Sequence, residues 1–143
     1  MFQLVLAVLL IAVSVVIQAA FMSVGLRVLK RAHDRQDPVL QRQPTLVVVM
    51  WVLYLLLPIG VDIVMWAAVY TIRGDIPDTQ DSLYFSTVTF TTVGYGDIVL
   101  DRDSRLLATF EAVNGWIVFG WATALVMIVI QRLYLPGTSG GSR

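Results

Sequence analysis

Residues Thr91-Thr-Val-Gly-Tyr-Gly-Asp97 offer backbone oxygens rather than reactive side chains. Glycines at the alternate positions 94 and 96 permit backbone angles that other residues resist. A strand built in this way can aim the carbonyls of Thr92, Val93, Gly94 and Tyr95 at one axis, with the Thr92 hydroxyl at its end. Rings of such oxygens, each copy of the chain supplying one per ring, can replace the water around a dehydrated cation. This is coordination chemistry, with no covalent step. Little else in the chain could do chemistry. There is no cysteine, so no disulfide, thiolate nucleophile or cysteine metal site, and the single histidine, His33, cannot make a metal cluster by itself.

The strand at 92–96 needs a scaffold, because non-helical backbone at membrane depth is tolerated only when buried in protein or lining a water-filled cavity. The eleven residues before it, Asp81 to Thr91, are mostly apolar or hydroxylated and too few to cross a membrane. Asp78, Thr79 and Asp81 can cap a helix start and face its positive end. A short helix over 80–91 is therefore expected to enter partway and stop, its partly negative C-terminal end favouring a cation below the strand.

The surrounding composition demands a membrane. The chain is 57% hydrophobic and only 14% charged, against about 25% charged in an ordinary soluble domain. No charge occurs from Met1 to Leu26, only Asp62 lies between Arg42 and Arg73, and only Glu111 between Arg105 and Arg132. Three such stretches suit helices crossing a hydrocarbon core of about 30 Å. A soluble enzyme, a nucleic-acid binder and a disordered segment are excluded, and the balance of ten basic against ten acidic residues leaves no footprint for nucleic acid.

Sorting the charges by position orients the spans. The first, within 1–29, precedes a basic cluster. A signal peptide carries its charge before the apolar core, so an anchor with its N-terminus outside is the better reading. Residues 30–44 form a cytoplasmic loop, since five of the ten basic residues lie between Arg27 and Pro44. The second span, 45–72, would reach about 42 Å as a helix, the excess being taken up by tilt or by a kink near Pro58-Ile59-Gly60. The third, 105–132, returns inside. Six of the ten acids lie between Arg73 and Ser104 on the outer side. The tail, 133–143, reads as disordered.

In this setting Thr91-Thr-Val-Gly-Tyr-Gly-Asp97 resembles the filter of the pore-loop potassium channels, and the helix, short helix, filter, helix order over roughly 45–132 resembles the simple bacterial members. The resemblance implies an all-α membrane protein with three transmembrane helices, a re-entrant pore helix with its selectivity filter between the second and third, and a homotetrameric pore in a cell membrane, the bacterial inner membrane for such relatives. K⁺ would be the permeant ion, bound by the carbonyls of Thr92, Val93, Gly94 and Tyr95 and the Thr92 hydroxyl, with Gly96 closing the filter and Thr91 and Asp97 flanking it. Membrane lipid is the other partner; no organic cofactor, nucleic acid or soluble substrate is implied. The helix at 1–29 is extra to this pattern.

The resemblance also carries roles onto the third span. Gly115 matches a gating hinge, Phe119 and Thr123 would line a cavity, and Met127, with Gln131, a cytoplasmic constriction; residues 115, 119, 123 and 127 recur every four positions, near one helix face. Where some relatives carry a glutamate behind the filter this chain has Val88, leaving Tyr84 as the donor to Asp97. Glu111 is read as a buried prop for pore-helix hydroxyls (Ser86, Thr87 or Thr89), or as a packing residue. Asp62 is expected to tie the first helix to the pore module through Gln18 and Ser14 at similar depth. Trp51, Trp66, Trp116, Trp121 and Tyr70 include candidate interface anchors, several of them lying deeper than the interface as packing residues. The first span has no arginine at every third position, unlike a voltage sensor. A K⁺ transporter pore subunit and a non-conducting regulatory subunit are the alternatives, the former disfavoured by the complete filter strand.

Overall fold

The computed structural model describes residues 2–35 and 42–134. Residues 36–41, inside the expected basic loop, and the expected tail from 135 onward lie outside them. The described residues form four helices and no β-sheet, residues 92–96 being an extended segment outside any sheet, called the strand below: α1 (Phe2–Asp34), α2 (Pro44–Arg73), α3 (Thr79–Phe90) and α4 (Arg105–Tyr134). Helices α1, α2 and α4 are each long and apolar enough to cross a membrane.

Local chemistry explains the boundaries. Helix α1 runs past the expected end at residue 29 because Leu29, Lys30 and Arg31 are good helix formers and no breaker intervenes. Helix α2 starts with Pro44 in its first turn, where a missing N–H costs nothing, and stops at Gly74 in the left-handed conformation (φ 76°). Asp78 caps α3, its Oδ1 accepting from the backbone N–H of Gln80 at 2.8 Å and of Asp81 at 3.0 Å. Helix α2 continues across Pro58, which is buried.

Two apolar clusters hold the helices together. One, toward the end that carries residues 92–96, joins Ala7 and Leu10 of α1, Trp66 and Tyr70 of α2, Phe85 and Phe90 of α3, and Leu107 and Val118 of α4. The other joins Leu29, Trp51, Leu55, Leu125 and Val129 at the opposite end. These pairings run α1 in the same sense as α4 and against α2. Buried positions of α1 are Ala7, Leu10, Ser14, Gln18, Gly25 and Leu29, one stripe along the helix. Gly25 allows the closest approach: a Cβ there would stand 2.7 Å from Trp51 and 2.9 Å from Tyr54. Tyr54 Oη donates to the Phe21 carbonyl at 2.6 Å and Trp121 Nε1 to Met22 Sδ at 3.2 Å. The opposite face of α1, with Val5, Val8, Leu9 and Val16, is exposed as a lipid-facing surface must be.

The first helix is therefore seated in the groove between α2 and α4. Of the aromatic residues considered as interface anchors, Tyr70 and Trp66 are wholly buried and Trp51 nearly so, whereas Trp116 is 74% exposed. Tyr70, Trp66 and Trp51 are thus among those that pack inside, and the Tyr70 hydroxyl serves an internal bond described below.

Candidate functional site

Helix α3 ends at Phe90, and the chain turns back on it before running out. The backbone N–H of Thr92 bonds to the Thr89 carbonyl at 2.9 Å, and those of Val93 and Gly94 both bond to the Val88 carbonyl, at 3.0 and 3.2 Å. Donors at the start of the strand are thus spent on the helix behind it, which leaves the strand's carbonyls free of it.

The strand itself alternates in hand. Thr92, Gly94 and Gly96 have φ of 61°, 56° and 79°, while the residues between them keep negative φ. An ordinary strand sends successive carbonyls to opposite sides; reversing φ at every second residue turns them toward the same side. The glycines were legible as the enabling residues. Thr92 was not: a β-branched residue at positive φ is a strained outlier, costing about 1–3 kcal/mol and persisting only where the surroundings over-determine it. All of 92–97 are exposed on the single chain, Tyr95 at 73% and Val93 at 52%.

Behind the strand, Tyr84 Oη donates to Asp97 Oδ2 at 2.6 Å, the expected bond. A recess beside it is lined by Tyr84, Val88, Gly94, Asp97 and Arg105, so valine faces the space where a second carboxyl would otherwise meet Asp97. The bond from Tyr84 holds the Asp97 carboxyl below its ordinary range and pushes the Tyr84 hydroxyl above its own. A depressed carboxyl stays charged until the pH falls through its lowered value. Tyr84→Phe should therefore move any Asp97-dependent loss of ion flux to higher pH. Flux measured in liposomes down an acidic pH series checks this, and an unmoved midpoint counts against the bond's role.

A second brace lies deeper. Glu111 of α4 is fully buried, with Oε2 accepting from Tyr70 Oη of α2 at 2.7 Å and Oε1 standing 2.5 Å from Ser86 Oγ of α3. Ser86 Oγ also reaches the Ile63 carbonyl at 2.9 Å. Of the three hydroxyls considered for Glu111, Ser86 is its partner; Thr87 Oγ1 bonds instead to the Leu83 carbonyl within α3. Thr91 Oγ1 likewise bonds back to the Thr87 carbonyl at 2.7 Å. The start of α3 is pinned separately, Ser82 Oγ donating to the Ile76 carbonyl and Thr71 Oγ1 to Ser82 Oγ. At the filter end an Arg73–Asp75 ion pair at 2.7 Å, with Ser104 Oγ on the other Asp75 oxygen at 2.6 Å, joins the end of α2 to the start of α4.

On α4 the residues at every fourth position do different things. Gly115 is buried against the end of α3, where a Cβ would lie 1.8 Å from the Phe90 carbonyl oxygen. Phe119 is half-buried, its ring 6.2 Å from that of Phe90 in an edge-on contact. Thr123, Met127 and Gln131 are exposed on the single chain, and Thr123 Oγ1 bonds back to the Phe119 carbonyl at 2.8 Å. Deeper on the far side, Gln18 Nε2 donates to Asp62 Oδ2 at 2.9 Å, joining α1 to α2. Ser14, considered as a second partner for Asp62, has no hydrogen bond among the described residues.

The arrangement is a re-entrant short helix feeding a carbonyl-lined strand, braced on two spanning helices. Among known proteins, residues 46–132 match the family described as ion channel. No curated protein and no solved structure matches the chain. The matched stretch takes in α2, α3, the strand and α4 down to Arg132, leaving α1 outside it, and the chain belongs to the ion channel family.

Proposed function

We propose that this ion channel is selective for K⁺ and works as a homotetramer, passing the ion down its electrochemical gradient. One observation carries the reading: a strand of alternating φ whose backbone is exposed on the single chain. Such backbone at membrane depth must be enclosed by protein or line a water-filled cavity. Copies of the same strand around a shared axis meet both conditions, and four rings of carbonyls from Thr92, Val93, Gly94 and Tyr95 would replace the hydration shell of K⁺. Asp97 and the neighbouring acids at the filter mouth raise the local cation concentration.

The five basic residues between Arg27 and Pro44 support a cytoplasmic loop there, an external filter mouth and a C-terminus inside, in a cell membrane. Thr123, Met127 and Gln131, exposed on one face of α4, suit the wall of the cavity and its inner constriction.

The test is flux from purified protein in liposomes. Uptake of K⁺ and Rb⁺ with little Na⁺, blocked by Ba²⁺, is the expected result. Equal passage of Na⁺ overturns the selectivity, and no flux from tetramers of verified size favours a non-conducting subunit.

A further inference from the structure

Midway along the three spanning helices lies a layer of polar side chains. Ser14, Asp62, Trp66 and Asn114 are each 0% exposed, and Gln18 is 8% exposed. Only the Gln18–Asp62 contact pairs two of them directly. Ser14 Oγ, Asp62 Oδ1, Trp66 Nε1 and both amide atoms of Asn114 have no hydrogen-bond partner among the described residues.

Helix register brings these atoms to one level. Gln18 meets Asp62 and Phe21 meets Tyr54, so in this antiparallel pair Ser14, one turn from Gln18 toward the outer end, is level with Trp66. Trp66 lies one turn beyond Asp62 on the same face of α2. Trp121 touches Met22; Asn114 is seven residues before Trp121 on the same face of α4, and Ser14 eight before Met22, so the two are level. The unmet groups therefore come from all three spanning helices.

Their chemistry identifies what joins them. Trp66 Nε1 and Asn114 Nδ2 need acceptors, Asp62 Oδ1 and Asn114 Oδ1 need donors, and Ser14 Oγ can do either. A bare cation would satisfy the oxygens and leave both N–H groups unmet. Water serves both kinds, and a buried water typically makes about three hydrogen bonds to such orphaned groups. Leaving them unpaired would cost about 1–3 kcal/mol each.

We propose that Ser14, Gln18, Asp62, Trp66 and Asn114 enclose about two buried water molecules that clasp α1 to the pore module. The clasp adds to the Tyr54–Phe21 and Trp121–Met22 bonds in fixing the rotation of α1 about its axis. It does not depend on which ion the filter selects.

X-ray radiolytic footprinting of the full chain in lipid nanodiscs tests it, since hydroxyl radicals formed from a trapped water label the side chains around it. Corrected for intrinsic reactivity, Trp66 should be oxidised within about tenfold of Tyr134, which is exposed at the end of α4, whereas Phe90, as inaccessible as Trp66 but in apolar surroundings, should be protected. Asn114→Leu should cut Trp66 labelling at least about fivefold with Tyr134 unchanged; Ser14→Val serves the same purpose if the first variant does not insert. Trp66 protected as fully as Phe90 in the unaltered chain overturns the proposal. So does labelling that is undiminished in the variants.

Discussion

Gly94→Ala should reduce K⁺ and Rb⁺ flux through reconstituted protein by about 100-fold or more while leaving the helices inserted and the tetramer assembled. The reason is conformational and not steric. Gly94 sits at φ 56°, and a Cβ there meets nothing within 4 Å of its own chain. An L-residue held in the left-handed region pays roughly 1–2 kcal/mol, and the proposed tetramer would pay it four times over, about 4–8 kcal/mol for one ring of the proposed filter. Thr92, two positions earlier, already carries the same penalty at φ 61°, so the strand has little tolerance left. An alanine relaxing toward negative φ turns its carbonyl away from the axis, and conduction needs every site in the file to bind neither too weakly nor too tightly. Circular dichroism and the size of the purified complex should be unchanged, because Gly94 meets the short helix through its backbone N–H on the Val88 carbonyl, a donor that alanine also carries. Retained K⁺ selectivity in Gly94→Ala would remove the basis for assigning the filter to 92–96.

How much of this was visible beforehand depended on the kind of signal each feature leaves in a chain. The spans were legible because a charge-free run is a local property, and the ends of α2 and α4 fall within a residue or two of where Arg42, Arg73, Arg105 and Arg132 bracket them. The segment proposed as the filter stood out because its seven residues are contiguous. The Gln18–Asp62 bond could be found by matching depths, since two lone polar groups at one level in hydrocarbon have few other partners. Tyr70 could not: a tyrosine near a span end looks like an interface anchor, and its carboxylate partner is 41 residues away. Asn114 left no signal at all, a single amide in an apolar run. Thr92 runs against its own propensity, so its positive φ is imposed by the fold around it.

The seat of α1 shows the same limit. That helix is apolar on every side, so periodicity names no buried face. Its buried stripe of Ala7, Leu10, Ser14, Gln18, Gly25 and Leu29 is distinguished by small and polar residues, which let backbones approach and bond. Such a stripe becomes readable only once a partner is known, here the groove between α2 and α4.

Gly115→Ala separates two roles for the same glycine. As a hinge alone, Gly115 would be replaced at little cost to the resting structure, since alanine in a helix interior is favoured over glycine by roughly 0.5–1 kcal/mol. The packing argues for the opposite outcome. A Cβ at 115 would fall 1.8 Å from the Phe90 carbonyl oxygen and 2.8 Å from its carbon, both backbone atoms that no rotamer can move aside. Overpacking of this kind costs about 3 kcal/mol or more, which exceeds the helix-propensity gain. To relieve it α4 must withdraw from the end of α3, loosening the Phe90–Phe119 contact and the Glu111–Ser86 bond one turn away, directly behind the filter. The expected result is a marked fall in the thermal stability of the complex in Gly115→Ala. Gly120→Ala is the control: no atom lies within 4 Å of a Cβ there, so stability should hold or rise slightly. If Gly115→Ala proved as stable as the unaltered chain and changed only the opening of the pore, the hinge would be the sole role of this residue and the close approach of α4 to Phe90 would have no energetic weight.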